Sequence, residues 1–128
     1  MKIEHIGLLV SDAHAMAHWY EEHLGFVNRR SSSDSVGGVD FVSDPGQDVM
    51  LELFSNSAVP MTDWTTLPPS QVHIALCSED PEADSLRLQA AGASFIERAT
   101  RKGPGDELIL LRDPWGVVLQ LAKRGTKF

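Results

Sequence analysis

The sequence is 128 residues long, with 42% hydrophobic residues and a formal net charge of −7 at pH 7. A chain of this length and apolar content can bury one core, so we expect a folded domain rather than a disordered chain. The negative charge excludes a phosphate-binding surface of the size that nucleic acid or an anionic membrane requires, because no lysine and arginine cluster is large enough.

The first half of the chain predicts one strand, one helix and three further strands. Residues 3–10 form an apolar run rich in strand-forming residues, and Asp12 is placed as a helix N-cap. Gly25 follows the helix as its C-terminal cap. The predicted strands after the helix lie at roughly 26–32, 38–43 and 48–55.

The second half repeats this order. Residues 71–78 form the opening strand, Asp80 is the N-cap with Pro81 in the first turn, and Gly92 ends the helix. The predicted strands after this helix lie at roughly 94–100, 106–112 and 117–123. The apolar residues that we expect to face the core from this helix are Ala83, Leu86 and Ala90.

An internal repeat relates the two halves. A shift of 68 residues aligns His5 with His73 and Glu52 with Gln120. Within each half the histidine and the Glu or Gln are therefore 47 positions apart. The strand VMLEL around Glu52 is nearly the same as VVLQL around Gln120. Equal spacing of polar residues in otherwise apolar strands indicates a shared role.

The repeat predicts an α+β fold made of two βαβββ modules. We expect a single domain over residues 1–128, with a first module at 1–56, a linker at 57–70 and a second module at 71–128. The linker is proline-containing and has no clear periodicity.

Side-chain alternation puts the four polar residues on one face of each sheet. The better core stripes, which should lie under the helices, leave His5 and His73 on the opposite face. Glu52 and Gln120 share that face by the same parity. The core stripes are Glu4, Ile6, Leu8 and Val10, then Val49, Leu51 and Leu53, then Val72, Ile74, Leu76 and Ser78.

Two imidazoles, a carboxylate and an amide carbonyl form a coherent ligand set for a divalent metal ion. Taken singly, each residue has an ordinary alternative, since a lone histidine on a strand is more often structural and a lone Glu or Gln is usually solvated. The repeat favours metal binding over four unrelated structural roles.

These residues and the paired βαβββ modules resemble the vicinal oxygen chelate superfamily, which includes glyoxalase I, methylmalonyl-CoA epimerase, extradiol dioxygenases, and the fosfomycin and bleomycin resistance proteins. The resemblance implies a partly open, U-shaped mixed β-barrel with the helices outside. It also implies a divalent metal ion (zinc, nickel, manganese, cobalt or iron), a small-molecule substrate and a homodimer.

Carried over by position, the resemblance makes His5, Glu52, His73 and Gln120 the metal ligands. Relatives place a carboxylate that can accept a proton where this chain has Gln120, and an amide cannot do so at neutral pH. Glu52 is therefore the remaining candidate for the catalytic base.

Three functions are compatible with this pattern. The first is a metal-dependent glyoxalase-like isomerase or lyase acting on a small molecule with adjacent oxygens, through an enolate-like intermediate. The second is a non-catalytic drug-binding protein similar to bleomycin resistance proteins. The third is an iron-dependent ring-cleaving dioxygenase, because two histidines and one carboxylate also describe a facial triad.

Other features carry weaker expectations. Arg29 and Arg30 should point to opposite sides of a strand, so that one of them could reach a cavity and bind an anionic substrate. His14 and His18 have the four-residue spacing of zinc ligands, but a solvated helix face is the expected reading. The chain has no signal-like or membrane-spanning run, and Cys77 is the only cysteine, so we expect a cytoplasmic protein without a disulfide.

Overall fold

The computed structural model describes residues 1–100 and 103–126. The chain divides into two compact units, Met1–Thr62 and Asp63–Phe128. Each unit has the element order β-α-β-β-β and forms one four-stranded sheet with one helix. The α+β class and the repeated βαβββ plan predicted from the sequence are confirmed.

The first unit contains one helix, α1, and a mixed sheet in the order β1-β4-β3-β2. Strand β1 is parallel to β4, whereas the pairs β4 with β3 and β3 with β2 are antiparallel. The opening strand is therefore an edge strand that pairs directly with the closing strand. The elements are β1 (Ile6–Leu9), α1 (Ala13–Leu24), β2 (Val27–Ser33), β3 (Gly38–Ser43) and β4 (Met50–Phe54).

The second unit begins with a short 3-10 helix, Trp64–Thr66, and repeats the same topology in the order β5-β8-β7-β6. Strand β5 is parallel to β8, and the other neighbours are antiparallel. The elements are β5 (Ile74–Cys77), α2 (Pro81–Ala90), β6 (Ser94–Arg98), β7 (Glu107–Arg112) and β8 (Val118–Lys123).

The opening strands are shorter than the predicted ranges 3–10 and 71–78. Each pairs with its closing strand over only four residues, starting at Ile6 and Ile74. His5 and His73 consequently lie immediately before the strands, next to the first paired residues.

Capping residues define both helices as predicted. The Asp12 carboxylate accepts a hydrogen bond from the Ala15 amide at 3.0 Å, and Asp80 does the same for Ala83 at 3.0 Å. Gly25 adopts a left-handed conformation with φ of 72° at the end of α1. Helix α2 ends at Ala90 with Ala91 as its C-cap, and the predicted cap Gly92 follows one residue later with φ of 101°.

Helix α1 buries a wide apolar face against the first sheet. Met16 and Tyr20 are fully buried, and the Tyr20 ring packs edge-on against Phe26 with centroids 5.6 Å apart. Burial of side chains of this size stabilises the fold by roughly 1.5–3 kcal/mol each. No helix among the described residues is long and apolar enough to span a membrane.

Helix α2 uses a different face from the predicted one. Ala83, Leu86 and Ala90 are exposed, and Leu86 retains 61% of its accessible surface. The buried residues are Pro81, Ser85 and Leu88. The expected stripe was wrong because the fully buried Leu88 sets the rotation of this short helix, and Leu86 lies about 200° around the axis from it.

The predicted face assignment holds for β4 itself, but Val49, which was predicted to face the core, precedes the strand and is 50% exposed. Leu51 and Leu53 are buried, and they alternate with half-buried Met50, Glu52 and Phe54. The second closing strand is more enclosed, with Gln120 half-buried between buried neighbours.

The predicted core stripe of β1 is only partly correct. Leu8 and Val10 are buried, but Glu4 and Ile6 are exposed. Helix α1 packs mainly on the other three strands, which leaves the start of the edge strand uncovered.

A buried carboxylate links α1 to the sheet. Asp40 on β3 is only 1% exposed. It accepts hydrogen bonds from Asn28 Nδ2 at 2.8 Å and from the Ser31 hydroxyl, and it contacts His14 Nδ1 at 2.5 Å. Gly38 makes room for this imidazole, since a Cβ there would lie 2.7 Å from His14 Nε2. The expectation that His14 lies on a merely solvated helix face is therefore wrong.

We predict that His14→Ala destabilises the protein by about 1–3 kcal/mol, because it removes one donor from a buried carboxylate. Urea unfolding measures the change. His18→Ala is the matched control, since the His18 side chain is 79% exposed and lies 4.0 Å from Glu22. Equal stability of the two variants would show that Asp40 does not need His14.

Candidate functional site

His5 and Glu52 form a contact on the non-helix face of the first sheet. Strand pairing places Gly7 directly opposite Glu52, and His5 precedes Gly7 by two residues on the same face. His5 Nε2 lies 3.3 Å from Glu52 Oε2. Their side chains are 35% and 27% exposed, so the pair is partly shielded but open to a ligand.

The other ring nitrogen of His5 is held by a second carboxylate. Nδ1 forms a close hydrogen bond with Glu4, and the ring packs edge-on against Phe41 with centroids 5.5 Å apart. The sequence interpretation placed Glu4 under the helix, and its contact with His5 was not foreseen. With Nδ1 facing Glu4, Nε2 is the ring nitrogen that faces Glu52.

Two carboxylates stabilise the protonated form of His5. The hydrogen bond that protonated His5 donates to Glu4 is the largest contribution that raises the pKa of His5 above its usual 6.5. Partial desolvation acts in the opposite direction, and the charges of Glu4 and Glu52 raise the pKa further. Because the folded-state pKa is raised, this stabilising contribution is complete below pH 6.5. It is lost as the pH rises through the folded-state pKa.

A glycine gives the Glu52 carboxylate its position. A Cβ at Gly7 would lie 3.2 Å from Glu52 Oε2 and 3.5 Å from the Phe54 ring. A side chain there would press on the carboxylate, so Gly7 leaves the space that Glu52 occupies. In the second unit the same position is Ala75, which lies opposite Gln120.

The second unit holds His73 in a related way. His73 directly precedes β5, and its Nδ1 lies 3.0 Å from the Pro69 carbonyl oxygen. A carbonyl oxygen can only accept, so Nδ1 carries the proton and Nε2 is the nitrogen left for a ligand. Gln120, at the centre of β8, is half-buried and lies opposite Ala75 on the neighbouring strand.

The four predicted residues therefore fall into two equivalent pairs. In each unit the histidine precedes the opening strand and the Glu or Gln occupies the centre of the parallel closing strand. Within residues 1–100 and 103–126, no three His, Cys, Asp or Glu side chains form a group that could hold a metal ion. The described contacts bring His5 and Glu52 together.

The second unit also contains an open cavity of about 540 Å³. Its lining includes Ala75, Cys77 and Ala122, which continue the face of His73 and Gln120 along the two parallel strands. Glu79, Lys123 and Arg124 also line it, so the cavity has both apolar and charged walls. A cavity of this size is in the range that holds small molecules.

Comparisons with known proteins identify the family. Residues 2–121 match the Glyoxalase/Bleomycin resistance protein/Dioxygenase superfamily. The chain therefore belongs to this superfamily. No curated protein matches the sequence at a significant level.

Several solved structures share the fold over nearly the whole chain. A glyoxalase family protein from Bacillus cereus is similar with a TM-score of 0.79 and 15% identity, covering 95% of this chain and 93% of that one. TnmS3, an antibiotic binding protein from Streptomyces sp. CB03234, has a TM-score of 0.62 and 27% identity, covering 94% and 96%. The fosfomycin resistance protein FosX from Listeria monocytogenes, complexed with Mn(II) and sulfate, has a TM-score of 0.70 and 18% identity, covering 96% and 92%.

We predict that Glu4→Gln lowers the pKa of His5, because the amide removes a negative charge from the hydrogen bond at Nδ1. The pKa of His5 is measured by NMR titration of the ring protons. His23→Gln leaves Glu4 in place and serves as the control. An unchanged His5 titration in the Glu4→Gln protein would rule out this hydrogen bond in solution.

Proposed function

We propose that this chain is a metal-dependent isomerase or lyase of glyoxalase type that acts on a small molecule with adjacent oxygens. His5, Glu52, His73 and Gln120 are the proposed ligands of a divalent ion. The supporting observation is that Nδ1 of both histidines has a hydrogen-bond partner, so that Nε2 would be the ring nitrogen that coordinates the ion. Metal-binding histidines characteristically have such an acceptor behind the ring.

The donor set fits a divalent ion of the zinc, manganese or iron group. Imidazole nitrogen, carboxylate oxygen and amide carbonyl oxygen are all ordinary ligands for these ions. The proposal requires the pair His73 and Gln120, from the same chain or from a second copy, to join the pair His5 and Glu52. When bound, the ion would polarise the substrate's oxygens and stabilise negative charge.

Glu52 is the proposed proton-transferring residue. Its carboxylate lies beside the His5 imidazole and is partly exposed, so a substrate proton could reach it. Gln120 at the equivalent position in the repeat can orient oxygens through its amide but cannot accept the proton. Both positions of the repeat could therefore bind the ion, but only Glu52 could also transfer the proton.

We expect metal affinity to increase with pH through the raised pKa of His5, because coordination must displace the proton that Glu4 and Glu52 favour. Zinc or manganese titrations at several pH values, with bound metal quantified by elemental analysis, measure this dependence. His5→Ala should weaken metal binding and reduce the pH dependence of the affinity. His18→Ala, on the exposed face of α1, should leave both unchanged. Equal metal affinities of the wild type, His5→Ala and His18→Ala would exclude His5 as a ligand.

Glu52→Gln should abolish turnover of a hemithioacetal while largely retaining the metal, because the amide can coordinate but cannot take a proton. Turnover and metal content are measured on the same preparation. Glu22→Gln, a change of the same kind on the outer face of α1, is the control. Full activity in the Glu52→Gln protein would eliminate Glu52 as the base.

Non-catalytic binding of a small molecule is the second candidate. It is favoured by the 27% identity to the antibiotic binding protein TnmS3 and by the open cavity in the second unit. Metal content separates the two functions, since a binder of this kind would hold its ligand without a stoichiometric divalent ion. Oxygen uptake with a catechol would instead indicate a ring-cleaving dioxygenase.

A further inference from the structure

A β-bulge changes the direction of two arginines on β2. Asn28 lies opposite Val42, whereas Arg30 lies opposite Phe41, so Arg29 is an extra residue between two paired positions. Bulges of this kind re-aim side chains and often occur beside binding sites. The sequence expectation that Arg29 and Arg30 point to opposite sides assumed a regular strand.

Both arginines lie on the face that carries the candidate site. Arg29 Nε donates to the Ser43 hydroxyl at 2.9 Å, and Ser43 lies opposite Met50, two residues before Glu52 on the same face. Arg30, Phe41 and Glu52 occupy successive strands at paired positions and so form one row across the sheet. Strand spacing separates the backbones of Arg30 and Glu52 by roughly 10 Å.

The charge of these arginines is not neutralised. Among the described residues, no Asp or Glu carboxylate forms an ion pair with Arg29 or Arg30, although the chain has 18 acidic residues. Ser43 is fully buried and its hydroxyl also donates to the Asp44 carbonyl oxygen at 3.0 Å, which fixes the acceptor for Arg29 Nε. The two terminal nitrogens of the Arg29 guanidinium are left for a ligand.

The second unit provides an internal comparison. Its ladder has the same irregularity between Phe95 and Glu97. Arg98, the arginine of that strand, donates to both carboxylate oxygens of Glu82 at 2.6 and 2.7 Å and lies 5.4 Å from the Phe95 ring centre. The bulge positions of that strand are Ile96 and Glu97, so the bulge itself does not require arginines. Within the described part of the chain, Arg98 is ion-paired, whereas Arg29 and Arg30 are not.

We propose that Arg29 and Arg30 bind an oxyanion, a carboxylate or a phosphate-like group, carried by the small molecule that this protein recognises. Guanidinium groups bind such anions through paired, charge-assisted hydrogen bonds. The assignment of this anion to the substrate of His5 and Glu52 rests on the proposed function. Anion binding by Arg29 and Arg30 does not depend on the proposed function.

Inorganic phosphate and acetate, titrated by calorimetry at low ionic strength, test this site. Each titration is run on metal-loaded protein and on protein treated with a chelator. Failure of the proposed metal site is thereby distinguished from failure of the anion site. We expect the double variant Arg29→Gln, Arg30→Gln to bind the preferred anion roughly tenfold more weakly. Preference for phosphate or for acetate identifies which oxyanion class fits.

The control is Arg98→Gln, which removes the ion-paired arginine that follows the bulge of the second unit and should leave the anion affinity within about twofold. Arg29→Lys keeps the charge but loses the planar fork, so it should retain only part of the affinity. Ser43→Ala removes the hydroxyl that accepts the hydrogen bond from Arg29 Nε, so it should weaken anion binding by releasing the Arg29 side chain. Equal anion binding by wild type and the double variant, or an equal loss in Arg98→Gln, would overturn the proposal.

Discussion

Parallel pairing of the opening and closing strands is the constraint on which the candidate site depends. In each unit this pairing brings the residue before the first strand next to the centre of the last strand. Side-chain alternation then decides which residues meet on the open face. His5 and Glu52 are 47 residues apart in sequence, yet their side chains come within 3.3 Å because of this pairing.

Hydrogen bonds at Nδ1 orient the two histidine rings. Glu4 and the Pro69 carbonyl oxygen occupy Nδ1 of His5 and His73, so both rings offer the same nitrogen, Nε2. The two units otherwise differ in chemistry. The first contains the carboxylate of Glu52 and two arginines without an ion pair among the described residues, whereas the second contains the amide of Gln120 and an open cavity.

Much of this arrangement was predictable from one sequence because it follows from local rules. The repeat gave the element order, Asp12 and Asp80 gave the helix starts, and alternation gave the face of Glu52. The remaining features depend on contacts between distant residues. The bulge at Arg29 is set by strand register, the Asp40 contact with His14 joins a helix to a strand, and the exposure of Leu86 depends on how α2 rotates onto its sheet.

The most direct test of the central claim is the state of the imidazole nitrogens of His5 and His73, measured by long-range ¹H–¹⁵N NMR with and without zinc. At a pH where both rings are neutral, we predict a proton on Nδ1 and a bare Nε2 in each, with zinc shifting the two Nε2 signals. Signals from Nε2–H tautomers, or Nε2 shifts that do not respond to zinc, would contradict a metal site built from these two histidines.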